Sequence, residues 1–367
     1  MTATTTITPV SWDAELGTCA ISGFDEASAV LRGPGWSSDP RRNPQAPPQV
    51  RDIAPSALLF MDPPDHTRLR RLLSPAFTPR SVERLRHRAG AVADAALETL
   101  GDSAGNADLL ADLGYLVPLA LSAELLDVGA DGAELLRAET PRLVRLLEVA
   151  ATAEDLAEAA DAAGALAVFL TPIISERSRH PGDDFISALL SVEDISREEV
   201  IATTITLLAA GHETTANLIA NGALALLRHP DQRPALHADP GRAVEELLRT
   251  EGPVRLAART AIIPHRLGGY EIAEGQQVII RIREANRDPR RFTDPDRIDL
   301  TREGPPHLAF GGGAHFCLGA ALARVEATET LTRLFTRYPR IELADEPRWR
   351  PSGTFRGLTG LPVRLGL

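Results

Sequence analysis

The stretch at residues 307–327, HLAFGGGAHFCLGAALARVEA, decides how this chain is read. Its three consecutive glycines at 311–313 form a turn whose backbone can approach a flat partner closely. Cys317 stands directly ahead of LGAALARVEA, a segment of strong helix propensity. A sulfur at a helix N-terminus meets free backbone N–H groups and the positive end of the dipole, and both favour thiolate over thiol. A deprotonated cysteine beside a flat glycine loop suits the ligation of haem iron. The alternative for an isolated cysteine is an inert buried side chain, so the surroundings must discriminate.

Working outward, composition removes several classes of function. The 367 residues carry a formal net charge of −11, which argues against nucleic acid or an anionic membrane as the main partner. No uninterrupted apolar run of about 18 residues occurs, so no membrane span is expected. The opening MTATTTITPVSWDAELG lacks a basic region followed by an apolar core, so no secretory signal is expected. Two cysteines, Cys19 and Cys317, exclude a disulfide framework and point to the cytoplasm. HETTA at 212–216 begins like a zinc-protease motif, but Ala216 stands where the second histidine belongs. Without a phosphate-cradling glycine loop, no bound nucleotide is expected.

From residue 65 to about 250 the spacing is helical. Thr78 caps a helix ahead of Pro79, and 195–228 is the longest helical segment. In it Val200, Thr204, Leu207, Gly211, Thr214 and Leu218 share one face. Ile201, Ile205, Leu208 and Ile219 make the other face apolar too, which predicts burial on all sides. A strand near GTCAISGF, a helix DEASAVLR and a long Pro- and Arg-rich loop at 37–56 come first. Short strands such as GQQVIIRI and LPVRLGL come last. The reading is a single domain over 1–367, mainly α with a minor β portion. Within the long helix, AGHET at 210–214 needs an explanation. A mid-helix glycine costs about 1 kcal/mol, and the buried Glu213 must find partners.

The pattern Phe310-x-x-Gly313-x-His315-x-Cys317-x-Gly319 resembles the haem-binding loop of the cytochrome P-450 haem-thiolate monooxygenases. The resemblance implies the single-domain cytochrome P-450 fold, with haem b between a long distal helix and a proximal Cys-loop helix. Cys317 would be the axial ligand, Phe310 would pack beneath the haem, and Gly311 and Gly319 would lie against it. Glu246 and Arg249 in EELLR, otherwise an ordinary surface pair, would become a buried couple joined by Arg297 of FTDPDRIDL. His66 and Arg70, four apart in DPPDHTRLRRLL, would bind the haem propionates together with Arg259 and His315. AGHET matches the family's [AG]-G-x-[DE]-T motif. Gly211 would let the helix open to leave room for dioxygen, Thr214 would hydrogen-bond it, and Glu213 would connect the site to solvent protons. His212 is assigned no role, and Cys19 is expected to be a small buried side chain. Substrate-pocket candidates are Ala210, Thr215, Val254, Arg255 and Thr354. Arg255 either turns outward or recruits a carboxylate on the substrate. Arg283 and Glu284 stand where the family has small or apolar residues, and the front of the chain is shorter than usual for the family.

The resemblance further implies insertion of one atom of dioxygen into a small, moderately lipophilic molecule, by hydroxylation or epoxidation and as in natural-product tailoring. Electrons would come from a separate ferredoxin or flavodoxin with its NAD(P)H reductase, no flavin being held by the chain. Arg68, Arg71, Arg80, Arg84 and Arg86 would attract that acidic partner to a monomer. The rivals are an oxidative-coupling or peroxide-driven haem-thiolate enzyme and a haem sensor without turnover. Only 4% of residues are aromatic, which favours an aliphatic pocket.

Overall fold

Helices occupy the middle of the chain in the computed structural model, which describes residues 7–53, 57–101, 106–149 and 151–366. The residues before 7, where the opening of the chain was read, lie outside that description. Six helices position the site: α1 Phe24–Arg32, α2 Asp65–Leu73, α3 Pro79–Gly101, α4 Arg197–Arg228, α5 Pro240–Glu251 and α6 Ala320–Arg337. Thr78 accepts from the Ser81 amide at 3.3 Å, so the predicted cap is present. Ser196 and Glu199 cap α4 reciprocally, each side chain taking the other's backbone N–H. Its C-terminal half is buried all round, whereas Thr206, Leu207, Ala210 and Gly211 are partly open because they border a cavity.

The main core lies where α6 packs along α3, α4 and α5. Leu97, Leu331, Leu334 and Phe335 are sealed there, each contributing about 1.5–3 kcal/mol of apolar burial. The helix Ala153–Arg179 is long and apolar enough by length and composition to cross a membrane. In this fold its Leu156, Ala159, Ala162, Leu166, Leu170 and Ile174 recur three or four apart and are buried. It packs on the helix Gly129–Leu143 and on α4.

Five strands form the larger sheet: β1 Val10–Asp13, β2 Thr18–Ile21, β3 Trp36–Ser37, β4 Leu256–Ala261 and β5 Gln277–Arg281. Their order is β1-β2-β5-β4-β3, with β2 and β5 parallel and the other pairs antiparallel. Cys19, on β2 opposite Val278, is buried as expected. The 37–56 loop contains a short helix, Pro48–Ile53, and its Ala46, Pro47 and Val50 border the cavity. LPVRLGL supplies the strand Pro362–Arg364 of a smaller sheet. Arg283 and Glu284 fall in a single helical turn and form no ion pair with each other.

An ionic brace connects α5 to the segment leading into the Cys317 loop. Arg249 grips Glu246 through Nε–Oε2 at 2.7 Å and Nη2–Oε1 at 2.9 Å, with both side chains 3% exposed. Arg249 also donates to the carbonyls of Asn286 and Pro295. Asn286 Oδ1 in turn receives the Leu308 amide at 2.7 Å. The third cation is not Arg297. Its side chain is 65% exposed and reaches only Asp299, at 3.8 Å. Asp294 adopts φ 46°, and the turn it makes presents the Arg297 carbonyl inward and the side chain outward. Arg302, one turn later, takes the expected place with Nε 3.0 Å from Glu246 Oε1.

Breaking a buried pair by removing one partner costs about 3–5 kcal/mol, because the surviving charge is left uncompensated. Glu246→Ala should therefore fall in that range and Arg302→Ala somewhat below it. Arg297→Ala should stay within about 0.5 kcal/mol of the parent, as exposed substitutions do. Urea unfolding of the three variants checks this order.

Candidate active site

A cavity of about 640 Å³ separates α4 from the Cys317 loop. The α4 face read from spacing reaches it through Thr204, Leu207, Gly211, Thr214 and Leu218. Phe310, Gly311, Cys317 and Gly319 form the opposite wall, and His66, Arg70, Arg259 and His315 a third. Ala210, Thr215, Val254 and Thr354 also border it. Arg255 does not. Its guanidinium donates to the Ser352 carbonyl at 3.2 Å, so the outward alternative holds.

The glycine run is shaped as much by α1 as by the cavity. Gly311 and Gly313 have φ of 70° and 64°, a left-handed backbone that suits glycine. A Cβ on Gly313 would stand 2.5 Å from the Leu31 carbonyl oxygen, at the end of α1. The Cys317 amide donates back to the Phe310 carbonyl at 3.0 Å, closing the loop. Arg324 lies over the Phe310 ring, 4.5 Å from its centre. Helix α6 begins at Ala320, so the sulfur sits three residues ahead of it. Burial pushes the thiol up, against the Gly319 N–H and the charges of Arg70 and Arg324, which pull it down. Coordination to an iron ion would deprotonate the thiol outright.

The third wall is a concentration of positive charge. His66 is 1% exposed, and neither ring nitrogen has a partner. Its ring lies 4.2 Å from that of His315. Arg70 donates to the Phe316 carbonyl at 2.6 Å and Arg259 to the Ala258 carbonyl at 2.7 Å. None of the four forms an ion pair among the described residues. Burial, then the charges of Arg259, His66 and Arg70, hold His315 down at about 3. Burial brings Arg259 down to about 10. Half-buried cations without counter-ions, and a buried histidine with two orphaned nitrogens, fit an occupant carrying carboxylates on this side. A sulfur faces the same space from the next wall. The residues present therefore fit haem.

A model of the cytochrome P450 family matches residues 137–240 and 241–358. The chain belongs to the cytochrome P450 family. It is 43% identical over 340 residues to cytochrome P450 107B1 of Saccharopolyspora erythraea, covering 90% of this chain and 81% of that protein. It is 39% identical over 357 residues to the cytochrome P450 monooxygenase PikC of Streptomyces venezuelae, covering 94% and 84%. Among solved structures, P450BioI in complex with acyl carrier protein ligated with hexadec-9Z-enoic acid superposes with a TM-score of 0.92 at 34% identity, covering 97% and 95%. PikC is named a monooxygenase, and this P450 is an oxidoreductase of that kind.

In this P450 the α4 motif divides its residues between two sides of the helix. The helix is continuous through Gly211 and does not open there. Clearance comes instead from the missing side chain, since an added Cβ would meet nothing within 4 Å. Thr214 Oγ1 donates to the Ala210 carbonyl at 2.6 Å, which leaves its lone pairs for the cavity. Glu213 is 1% exposed and faces away from the cavity lining. Its Oε1 accepts from Arg350 at 2.6 Å, Asn217 at 2.9 Å and Tyr115 at 3.2 Å. Arg350 also donates to the Tyr115 oxygen at 2.6 Å. Burial, and next the Glu213 charge, push the Tyr115 phenol up to about 12. Sequence reasoning missed Arg350 and Tyr115. A buried glutamate demands a cation, but nothing in the spacing selects Arg350 from the other arginines of the C-terminal stretch.

His212, left without a role above, is a packing element. Its Nε2–H donates to the Tyr115 carbonyl at 3.2 Å, and Nδ1 pairs with the Thr140 hydroxyl at 2.7 Å. Burial lowers its pKa below the ordinary 6.5. The unfolded chain then takes up a proton that the folded one refuses, so stability falls as pH drops below about 6.5. Urea midpoints at pH 7 and pH 5 should differ less in His212→Gln than in the parent.

Proposed function

We propose that this P450 binds haem b and inserts one atom of dioxygen into a small, moderately lipophilic molecule, with electrons delivered by separate proteins. One observation carries the reading: the Cys317 sulfur, the cationic wall and the Thr214 hydroxyl all open on a single cavity. Cys317 would ligate the iron, and His66, Arg70, Arg259 and His315 would hold the propionates. Bound haem with a thiolate ligand supplies the activation of dioxygen.

The chain's own residues then govern protons and access. Thr214, with its hydrogen committed to Ala210, receives a hydrogen bond from water or a protonated group in the cavity and holds it at Oγ1. Glu213 Oε2 has no hydrogen-bond partner and is the atom through which a proton would be relayed. Its ion-pair partner Arg350 is 33% exposed and brings solvent to that pair. Placing the carboxyl one residue round the helix, about 100° away, keeps a strong acid off the reacting centre while leaving it within relay distance. Leu207, Leu208, Leu218 and Leu248 keep bulk water out.

Relatives named 6-deoxyerythronolide B hydroxylase and vitamin D(3) 25-hydroxylase support a lipophilic substrate of this size class. We assign the enzyme to the cytoplasm, with a ferredoxin or flavodoxin as donor. Two of the arginines read as a docking patch are already engaged, Arg68 with Glu199 and Arg86 with Glu83 and Glu329. Arg71, Arg80 and Arg84 are exposed and have no ion pair among the described residues, and Arg71 borders a shallow recess beside Gly313.

The reading is tested by reducing the purified protein under carbon monoxide. A red-shifted Soret band that Cys317→Ala abolishes is expected; its absence with haem bound overturns the assignment. Thr214→Ala should then release more peroxide per NAD(P)H consumed and form less product. For the donor, the paired reversal Arg71→Glu with Arg84→Glu should slow reduction by a ferredoxin about tenfold at low salt. Unchanged stopped-flow rates would move docking to another face.

A further inference from the structure

Besides Cys317, six charged or titratable side chains border the cavity: His66, Arg70, Glu148, Arg259, His315 and Glu326. Four belong to the cationic wall, and Glu326 lies on α6, the sulfur side. Glu148 is the remaining one. It follows the short turn Val144–Leu147, whose Leu146 and Leu147 also border the cavity. Its carboxylate has no cation within ion-pair distance among the described residues. Oε1 accepts from the Ser352 hydroxyl, and Oε2 from the Thr354 amide at 3.2 Å. Both donors are neutral, and a carboxylate has about four lone-pair sites to fill.

The arginines near it are turned elsewhere. Arg142 pairs with Glu139, and Arg145 with Asp155 and Glu158. Arg255 approaches the same 352–354 loop but donates to the Ser352 carbonyl and does not border the cavity. The Val149 amide, held by Thr354 Oγ1 at 2.7 Å, locks the next residue against that loop, so the carboxylate is fixed in place. On the side of the cavity away from the sulfur and the cationic wall, a rigid carboxylate without a cation, beside Leu146 and Leu147, suits a positively charged group.

We infer that the substrate carries a basic nitrogen, an amine protonated at neutral pH, which pairs with Glu148. Its apolar body extends from there toward Thr214. The inference rests on the cavity being the substrate chamber of a haem-loaded monooxygenase, as proposed above. It also implies rejection of substrates whose only charge is a carboxylate.

Three probes of one chain length test this on the haem-loaded enzyme: octyltrimethylammonium, octanol and octanoate. The quaternary nitrogen has no lone pair and cannot ligate iron, so its retention reports the carboxylate alone. Equilibrium dialysis should rank the cation first and octanoate last. Glu148→Gln keeps an acceptor for Ser352 and should reduce the cation-over-octanol preference about tenfold while leaving octanol binding unchanged. A parent enzyme that retains the cation no better than octanol overturns the inference. So does a preference that survives in Glu148→Gln, and so does an equal weakening of all three probes, which would make Glu148 only a latch for the 352–354 loop. The carbon monoxide spectrum of the same preparations reports separately on the haem-thiolate assignment.

Discussion

Arg70, Arg259, His66 and His315 converge on one wall of an interior cavity, and among the described residues none of them has a carboxylate at ion-pair distance. Like charges in a low-dielectric interior repel strongly, and burial already penalises each of them. His315 answers by staying neutral far below the ordinary histidine range. The two guanidinium groups lean on main-chain carbonyls. Such a wall is costly for the polypeptide by itself and makes sense against a partner with two negative charges. The remaining geometry follows from holding that wall, a sulfur and a hydroxyl around one space.

The scaffold that holds them is ionic at one remove. Glu246 receives two guanidinium groups, Arg249 and Arg302, and Arg249 passes the constraint to Asn286 and so to the amide of Leu308. The Cys317 loop begins there, and α1 fixes its far side through the contact at Gly313. Buried charges of this kind hold position because each donor has been given an acceptor. Removing one partner would loosen the loop through electrostatics, without touching its own residues.

Much of this was legible in the sequence where periodicity or local chemistry governs. The α4 face and the loop around Cys317 follow from residues at fixed spacings on a regular helix or in a compact turn. The grouping of His66, Arg70, Arg259 and His315 comes instead from the resemblance to the family, because no spacing joins those three segments. The errors fall where the chain is irregular. Arg297 and Arg302 lie in one aperiodic segment, and which of them turns inward depends on the left-handed Asp294, a backbone choice that no spacing encodes. Arg350 reaches Glu213 from 137 residues away along the chain. Arg255 differs from its cavity-lining neighbour Val254 only by side-chain direction.

The glycines of α4 and the Cys317 loop include two kinds. At Gly313 the protein itself forbids a side chain, because a neighbouring carbonyl occupies the place. At Gly211 and Gly319 an added methyl group would collide with no protein atom, and neither has a positive φ. Alanine at 211 would even strengthen the isolated helix by roughly 1 kcal/mol. A stabilisation campaign scored on unfolding temperature alone would therefore drift toward alanine at both positions. It would be filling room reserved for the guest, and trading catalysis for heat resistance.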